Sequence, residues 1–288
     1  MKRKWLLVMI SIMTAIVLAA CGAGDKKDSG KSGDAGADSG GSEDGGQFRI
    51  GMEAGYPPFN WTQQNDANGA VKIADNAEYA GGYDVQMAKK IAEGLGKELV
   101  IVKMEWDGLV PALQSNKIDA IIAGMSPTEE RKQTIDFTEN YYTSDFVMVI
   151  KKGSKYEKAK SIQDFSGAKI TSQLNTSNYN VIDQIKDVQK QTAMDNFPAM
   201  RVALEAGKID GYVAERPEGI SAAAANDKFA YVAFEEGFDT DPSNTSIAVG
   251  LRKGEANLDK INEILKGVSE DDRQTMMEEA IQQQPAAQ

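Results

Sequence analysis

Arg131 stands in the run GMSPTEER, five residues beyond Ser126 and three beyond Thr128. A planar, permanently charged fork with neutral hydroxyls beside it can hold a carboxylate at two points, which lysine does not do. The same arginine follows Glu129 and Glu130, with which it could instead form an exposed pair worth under about 1 kcal/mol. Two acids close short apolar runs, Glu53 after FRIGM and Glu215 in GYVAERP, with Glu218 three residues further on. A carboxylate buried in such a place needs a guanidinium, an ammonium or an amide against it, and one left in a loop is simply solvated. Tyr56 in GYPPF and Trp106 in EWDGL offer flat faces that can bury an apolar stem or hold a cation at about 0.5–2 kcal/mol each. Phe59 and Trp61 are read as ordinary core aromatics.

The 288 residues contain no histidine and one cysteine, so a Ser-His-Asp or Cys-His catalytic set and every histidine-ligated metal site are excluded. An enzyme would have to work through carboxylates, Lys, Tyr or Ser. Asp66, Asn68 and Gly69 lack the register and closing glutamate of a calcium loop and read as a surface turn. Neither GSEDGG nor GAGDK follows a strand or opens a helix, so neither is a phosphate loop. No cofactor and no metal are expected. A formal charge of −11 argues against nucleic acid, whose phosphates attract basic surfaces.

The elements that must position these groups begin at Gln47. FRIGM (48–52), LVIVKM (99–104) and DAIIAGM (119–125) read as strands, with amphipathic helices over 83–95 and about 108–114 between them. Strand, helix, strand, helix, strand implies right-handed crossovers in a largely parallel sheet. The second half repeats the theme: KITSQL (169–174), helices over 178–190 and 199–206, DGYVAE (210–215), then VAF (232–234) and SIAVGL (246–251). Residues 255–268 and 270–282 read as closing helices. Length and pattern together give two α/β units, with a cleft between them for a small molecule.

Before this body, Lys2, Arg3 and Lys4 precede an uncharged apolar run over 5–20, short for a membrane span and typical of a secretory signal. Residues 22–46 hold nine of the 27 glycines and nothing larger than lysine, so they cannot offset their ordering entropy and read as a tether. LAAC-Gly around Cys21 resembles the lipobox of bacterial lipoproteins, which implies cleavage before Cys21 and its acylation. Loss of the three basic residues would take the formal charge to −14.

GYPPF, GGYDVQMAKKIA, WDGLVPALQSNKIDAIIAGMSPTEERKQTIDFT, KIDGYVAERP and GLRKG resemble extracytoplasmic amino-acid-binding proteins of ABC importers, over about 48–282. The resemblance implies a two-lobe periplasmic-binding-protein fold: lobe 1 from 47–145 and 246–288, lobe 2 from 146–245, following a signal over 1–20 and a lipidated tether over 21–46. It implies that Gly124, Met125, Ser126, Thr128 and Arg131 surround a bound amino acid, that Tyr56 and Trp106 wall it, and that Glu53 meets its side chain. Thr176 or Ser177 is expected to cap a lobe 2 helix facing the ligand carboxylate, with Asn175 in place of the usual glycine. Glu215 stands where an aspartate typically meets the ammonium. The expectation is a monomeric, lipid-anchored binding protein on the outer face of a bacterial membrane that delivers its cargo to a permease. Glu53, Glu215 and Glu218 suggest arginine or lysine as that cargo, with glutamine, cystine or another polar amino acid as the alternative. An enzyme or a sensor on the same scaffold is the alternative class.

Overall fold

Phe48, Ile50 and Met52 are buried in β1 (Gln47–Met52), the central parallel strand of the first sheet in the computed structural model, which describes residues 46–285. Next come four short strands, β2 (Gly55–Tyr56), β3 (Asn60–Gln63), β4 (Val71–Lys72) and β5 (Tyr79–Gly81), which form a small sheet in the order β2-β3-β5-β4. Helix α1 (Tyr83–Gly94) presents Val85, Met87, Ala88, Ile91 and Ala92 to the core. It is followed by β6 (Glu98–Lys103), α2 (Leu109–Gln114), β7 (Ala120–Ile121), α3 (Glu129–Lys132) and β8 (Asp136–Thr143).

The chain then enters a second sheet through β9 (Phe146–Lys151), β10 (Lys169–Thr171), α4 (Ser177–Asn180), β11 (Gln189–Lys190), α5 (Phe197–Glu205), β12 (Gly211–Glu215), α6 (Arg216–Ala225) and β13 (Phe229–Val232). It re-enters the first sheet at β14 (Ser246–Leu251) and ends in α7 (Leu258–Lys266) and α8 (Glu270–Gln283). The orders are β6-β1-β7-β14-β8 and β11-β10-β12-β9-β13. In each sheet four strands run the same way and one runs against them: β14 pairs antiparallel with β7 and β8, and β9 with β12 and β13. The two crossings between sheets lie side by side, Ser144 N–H donating to Thr245 C=O at 3.0 Å. Asp145 in the first crossing accepts from Arg216 Nε at 2.7 Å, tying it to the start of α6.

Three local expectations fail for physical reasons. The helix expected over 178–190 is one α turn and a 3₁₀ turn (Val181–Gln184), because Ile185 is extended and Asp187 has φ of +55°, which frees Gln189 and Lys190 to pair with β10. The strand expected over 119–125 stops at Ile121, since Gly124 at φ +64° turns the chain into the cleft loop. The strand expected at 232–234 lies earlier, at Phe229–Val232.

Candidate functional site

The parallel strands of both sheets end at one cleft. There β2 delivers Tyr56, β6 delivers Trp106, β7 delivers Gly124 and Ser126, β10 delivers Gln173 and Thr176, and β12 delivers Glu215, while Glu53 just past β1 stands behind this lining on Gln173. Crevices outside carboxyl strand ends are where open α/β sheets bind ligands, because loops there carry free backbone groups. The cleft is lined by Tyr56, Trp106, Gly124, Ser126, Arg131, Gln173, Thr176, Ser177, Asn178, Phe197 and Glu215. Its lobes stand closed on each other: the space between them admits about 10 Å³, roughly one water.

Arg131 is held by its own lobe and met by the other. Its guanidinium donates to Ser126 C=O at 3.0 Å and to Asn175 C=O at 2.9 Å, and its carbon lies 5.1 Å from the centre of the Trp106 ring. Burial lowers its pKa to about 10, so it stays charged at neutral pH. The pairing with Glu129 or Glu130 that its position also allowed is absent, Glu129 bonding Lys132 instead at 2.8 Å. Thr128 does not line the cleft. It caps α3, its Oγ1 accepting from the Arg131 N–H at 3.3 Å, and so orients the helix that carries the guanidinium.

Tyr56 crosses to lobe 2, where its hydroxyl donates to Glu215 Oε2 and its ring stacks on Phe197 at 4.2 Å. Glu215 also accepts from Asn178 Nδ2 at 3.1 Å, and burial raises its pKa against the pull of these donors. Gly124 must be glycine here, because a Cβ would lie 2.7 Å from the Tyr56 ring and φ is +64°. Glu53, 8% exposed, accepts from Gln173 Nε2 at 2.9 Å through Oε2 while Oε1 has no partner. Burial, reinforced by Glu105, Asp195 and Asp107 and opposed by the Gln173 hydrogen bond, pushes its carboxyl up to about 7.

Lobe 2 contributes Thr176, which caps α4 by accepting from the Tyr179 N–H at 3.3 Å. Asn175 before it has φ of +55°, the left-handed conformation that asparagine tolerates better than other non-glycine residues. Ser177 in lobe 2 and Ser126 in lobe 1 both donate to Asn244 C=O, at 3.2 and 3.0 Å, on the second crossing.

Besides Thr128 and Glu53, which stand behind the lining, two expected residues are elsewhere. Met125 is buried in lobe 1, its carbonyl accepting from Ala248 N–H at 3.1 Å, because β14 uses that group as a sheet partner. Glu218 points into lobe 2 behind the cleft, accepting from Arg201 Nε and Tyr212 hydroxyl, both at 3.0 Å. Cys21, the signal and the tether lie outside the described residues. Sequence reasoning missed Gln173, Asn178 and Phe197. The first two fall inside the QLNTSNYN run around the expected cap, and Phe197 carried no signal beyond its Asn196-Phe-Pro helix start.

A two-lobed α/β body whose strand ends converge on a cleft with an anchored arginine and buried acids has the form of a solute-binding protein. Residues 48–281 match the bacterial extracellular solute-binding proteins, family 3, and the chain belongs to that family. A probable histidine-binding protein of Campylobacter jejuni is 35% identical over 184 residues, 60% of this chain and 66% of that one. The arginine-binding extracellular protein ArtP of Bacillus subtilis is 28% identical over 275 residues, 92% of each chain. The crystal structure of an amino acid ABC transporter substrate-binding protein from Streptococcus pneumoniae, bound to L-arginine, superposes with a TM-score of 0.71 at 27% identity, covering 82% of this chain and 94% of that one.

Proposed function

We propose that this protein captures a basic amino acid, arginine above all, between its lobes and presents the closed form to a membrane permease. One juxtaposition carries the reading: a half-buried, charged Arg131 and a buried Glu215 line one closed cleft, and the buried Glu53 stands behind its wall on Gln173, with one carboxylate oxygen free. In this reading Arg131 holds the ligand carboxylate and Glu215 the α-ammonium. Tyr56, Phe197 and Trp106 cover the aliphatic stem, and Glu53 with Gln173 meets the cationic end. Because lobe 1 and lobe 2 groups touch the ligand together only when closed, ligand shifts the hinge toward closure. The hinge would comprise Ser144–Asp145 and the segment around Asn244–Thr245, dividing lobe 1 (47–145 and 246–288) from lobe 2 (146–245). Capture and release need no chemical step.

The arginine-binding relatives and the arginine-bound neighbour support this cargo. Glutamine is the second reading, favoured because Gln173 already satisfies Glu53 with an amide N–H. At the N-terminus we propose cleavage after Ala20 and acylation of Cys21, leaving a monomer tethered to the outer face of the membrane. Calorimetric titration after unfolding and refolding, against the twenty amino acids and cystine, tests the assignment. Binding confined to arginine and lysine supports it, and tight binding of glutamine alone selects the second reading. Silence across the panel refutes both.

A further inference from the structure

Helix α8 is mounted on lobe 1 and ends on lobe 2. Met276, Met277 and Ala280 are buried, and Arg273 donates to Asn140 C=O of β8 at 3.2 Å and to Leu265 C=O of α7 at 2.6 Å. Just past its last turn, Gln284 reaches α6: its Nε2 donates to Ser221 C=O at 3.1 Å, and its Oε1 accepts from the Ser221 hydroxyl. Among the described residues these are the hydrogen bonds between α8 with its C-cap and α6. Along the rest of α8 a groove lined by Tyr142, Ile220 and Ile281 runs beside the end of β8.

Ser221 is not an isolated partner. Its hydroxyl also accepts from Arg201 Nη2 at 3.1 Å, and Arg201 pairs with Glu218, which in turn accepts from Tyr212. Glu218, Ser221 and Tyr212 are fully buried and Arg201 is 9% exposed, so each depends on the others for its hydrogen bonds. Arg201 lies one turn along α5 from Phe197, and Glu218 lies one turn along α6 from Glu215. Phe197 stacks on Tyr56 and meets Tyr212 edge-on at 6.2 Å. Hydrogen bonds therefore run from Tyr212 through Glu218, Arg201 and Ser221 to Gln284 at the end of α8, and the edge-on contact of Tyr212 with Phe197 joins them to the lobe 2 wall of the cleft.

We infer that α8 is a strap across the back of the hinge, with Gln284 a positioning residue that clasps α6 in the closed form and holds Phe197 and Glu215 against Tyr56. Opening draws α6 away from lobe 1 and releases the clasp, so the clasp favours closure without touching ligand. The ligand-dependent half of the test rests on the arginine reading above. In the full-length chain, Gln284→Ala and Ser221→Ala should each weaken arginine binding about five- to tenfold, as expected for losing one or two hydrogen bonds made in one state only. The loss should appear in the dissociation rate measured by stopped flow. The double variant should be no weaker than the weaker single one, since Gln284→Ala removes both clasp bonds and Ser221→Ala removes the hydroxyl bond among them, the Ser221 C=O remaining. Gln282→Ala, on the exposed side of α8, should match wild type. An affinity and dissociation rate within twofold of wild type for Gln284→Ala overturn the inference, as does weaker binding that comes only from a reduced binding stoichiometry. If wild type binds no amino acid, the arginine reading fails, and the strap is decided separately by hydrogen exchange. Faster exchange across residues 197–205 in Gln284→Ala sustains it, and unchanged exchange there refutes it.

Discussion

Replacing Glu53 by glutamine should abolish a pH dependence that the closed cleft builds into arginine binding. Glu53 ionises near about 7 because it is buried and faces Glu105, Asp195 and Asp107, with only the Gln173 amide favouring the charged form. A cationic ligand needs the ionised form, so binding must expel the proton wherever the free protein still holds it. By linkage, affinity rises with pH through about 7 and levels off above. With that value, Glu53 is ionised to about 75% at pH 7.5 and about 10% at pH 6.0, which makes arginine bind about eightfold more weakly at the lower pH, or about 1.2 kcal/mol. Calorimetry at pH 6.5 in buffers of different ionisation enthalpy should report release of roughly 0.8 proton per arginine bound. Glu53→Gln should bind arginine about 10- to 100-fold more weakly at pH 7.5, the cost of a charge-assisted contact, with a flat profile from pH 6 to 8. A flat profile in the wild type, or an undiminished slope in Glu53→Gln, would refute the argument.

Four further outcomes follow. Arg131→Ala should weaken amino-acid binding by roughly 100- to 1000-fold, because it removes a two-point charged contact, and Arg131→Lys should recover only part of that, both read by calorimetry. Gly124→Ala should push the Tyr56 ring off its seat and weaken binding at least about tenfold while apo thermal unfolding still shows one cooperative transition. Ligand-free protein should lose roughly 4–6 kcal/mol of stability in urea between pH 5 and pH 7.5. The native state keeps protons on Glu53 (about 7), Glu218 (about 7) and Asp84 (about 6) that the unfolded chain releases near 4, so stability falls as pH rises through that window. Cys21→Ser should shift the protein from the membrane fraction to the soluble one, and unchanged fractionation would count against the anchor.

How far the sequence could be read depended on how local each signal was. Helix α1, β14 and the two closing helices carry their periodicity within a dozen residues, and each was legible to within about three residues at either end. The apolar spacing of Val181, Ile182 and Ile185 also suits a helix, but these residues bury themselves in a 3₁₀ turn because Asp187 reverses the chain. Helix α6 went unread: its Pro-Glu-Gly start and alanine run have almost no apolar face, and its shape is set by packing on β13 and α8. At the site, Arg131, Tyr56, Trp106 and Glu215 were legible through motif resemblance. Gln173 and Phe197 were not, since their roles arise from partners 120 and 141 positions away, Glu53 and Tyr56. Glu218 shows the converse error, an acid of the right type near the right acid whose place one helical turn on turns it toward Arg201.

The closed cleft also explains how selectivity can arise without a large cavity. Each group assigned to the ligand is met by a protein partner across the lobes: Tyr56 hydroxyl on Glu215, the Gln173 amide on Glu53, Asn175 carbonyl on Arg131. An incoming amino acid therefore exchanges hydrogen bonds and does not merely add them, and only the surplus of the new set over the old appears as affinity. A neutral side chain gains little by displacing Gln173, whose amide already offers Glu53 what glutamine would. A guanidinium gains more, because it can ionise Glu53 and satisfy both its oxygens, including the Oε1 that has no partner. The same exchange predicts the effect of Tyr56→Phe. Removing the hydroxyl strips Glu215 of one donor in the ligand-free closed form, but a bound α-ammonium would replace that donor. The ligand-free closed form should suffer more than the liganded one, so arginine should bind as tightly as to wild type or slightly more tightly. A tenfold loss of affinity in Tyr56→Phe would instead mean that the hydroxyl itself touches the ligand.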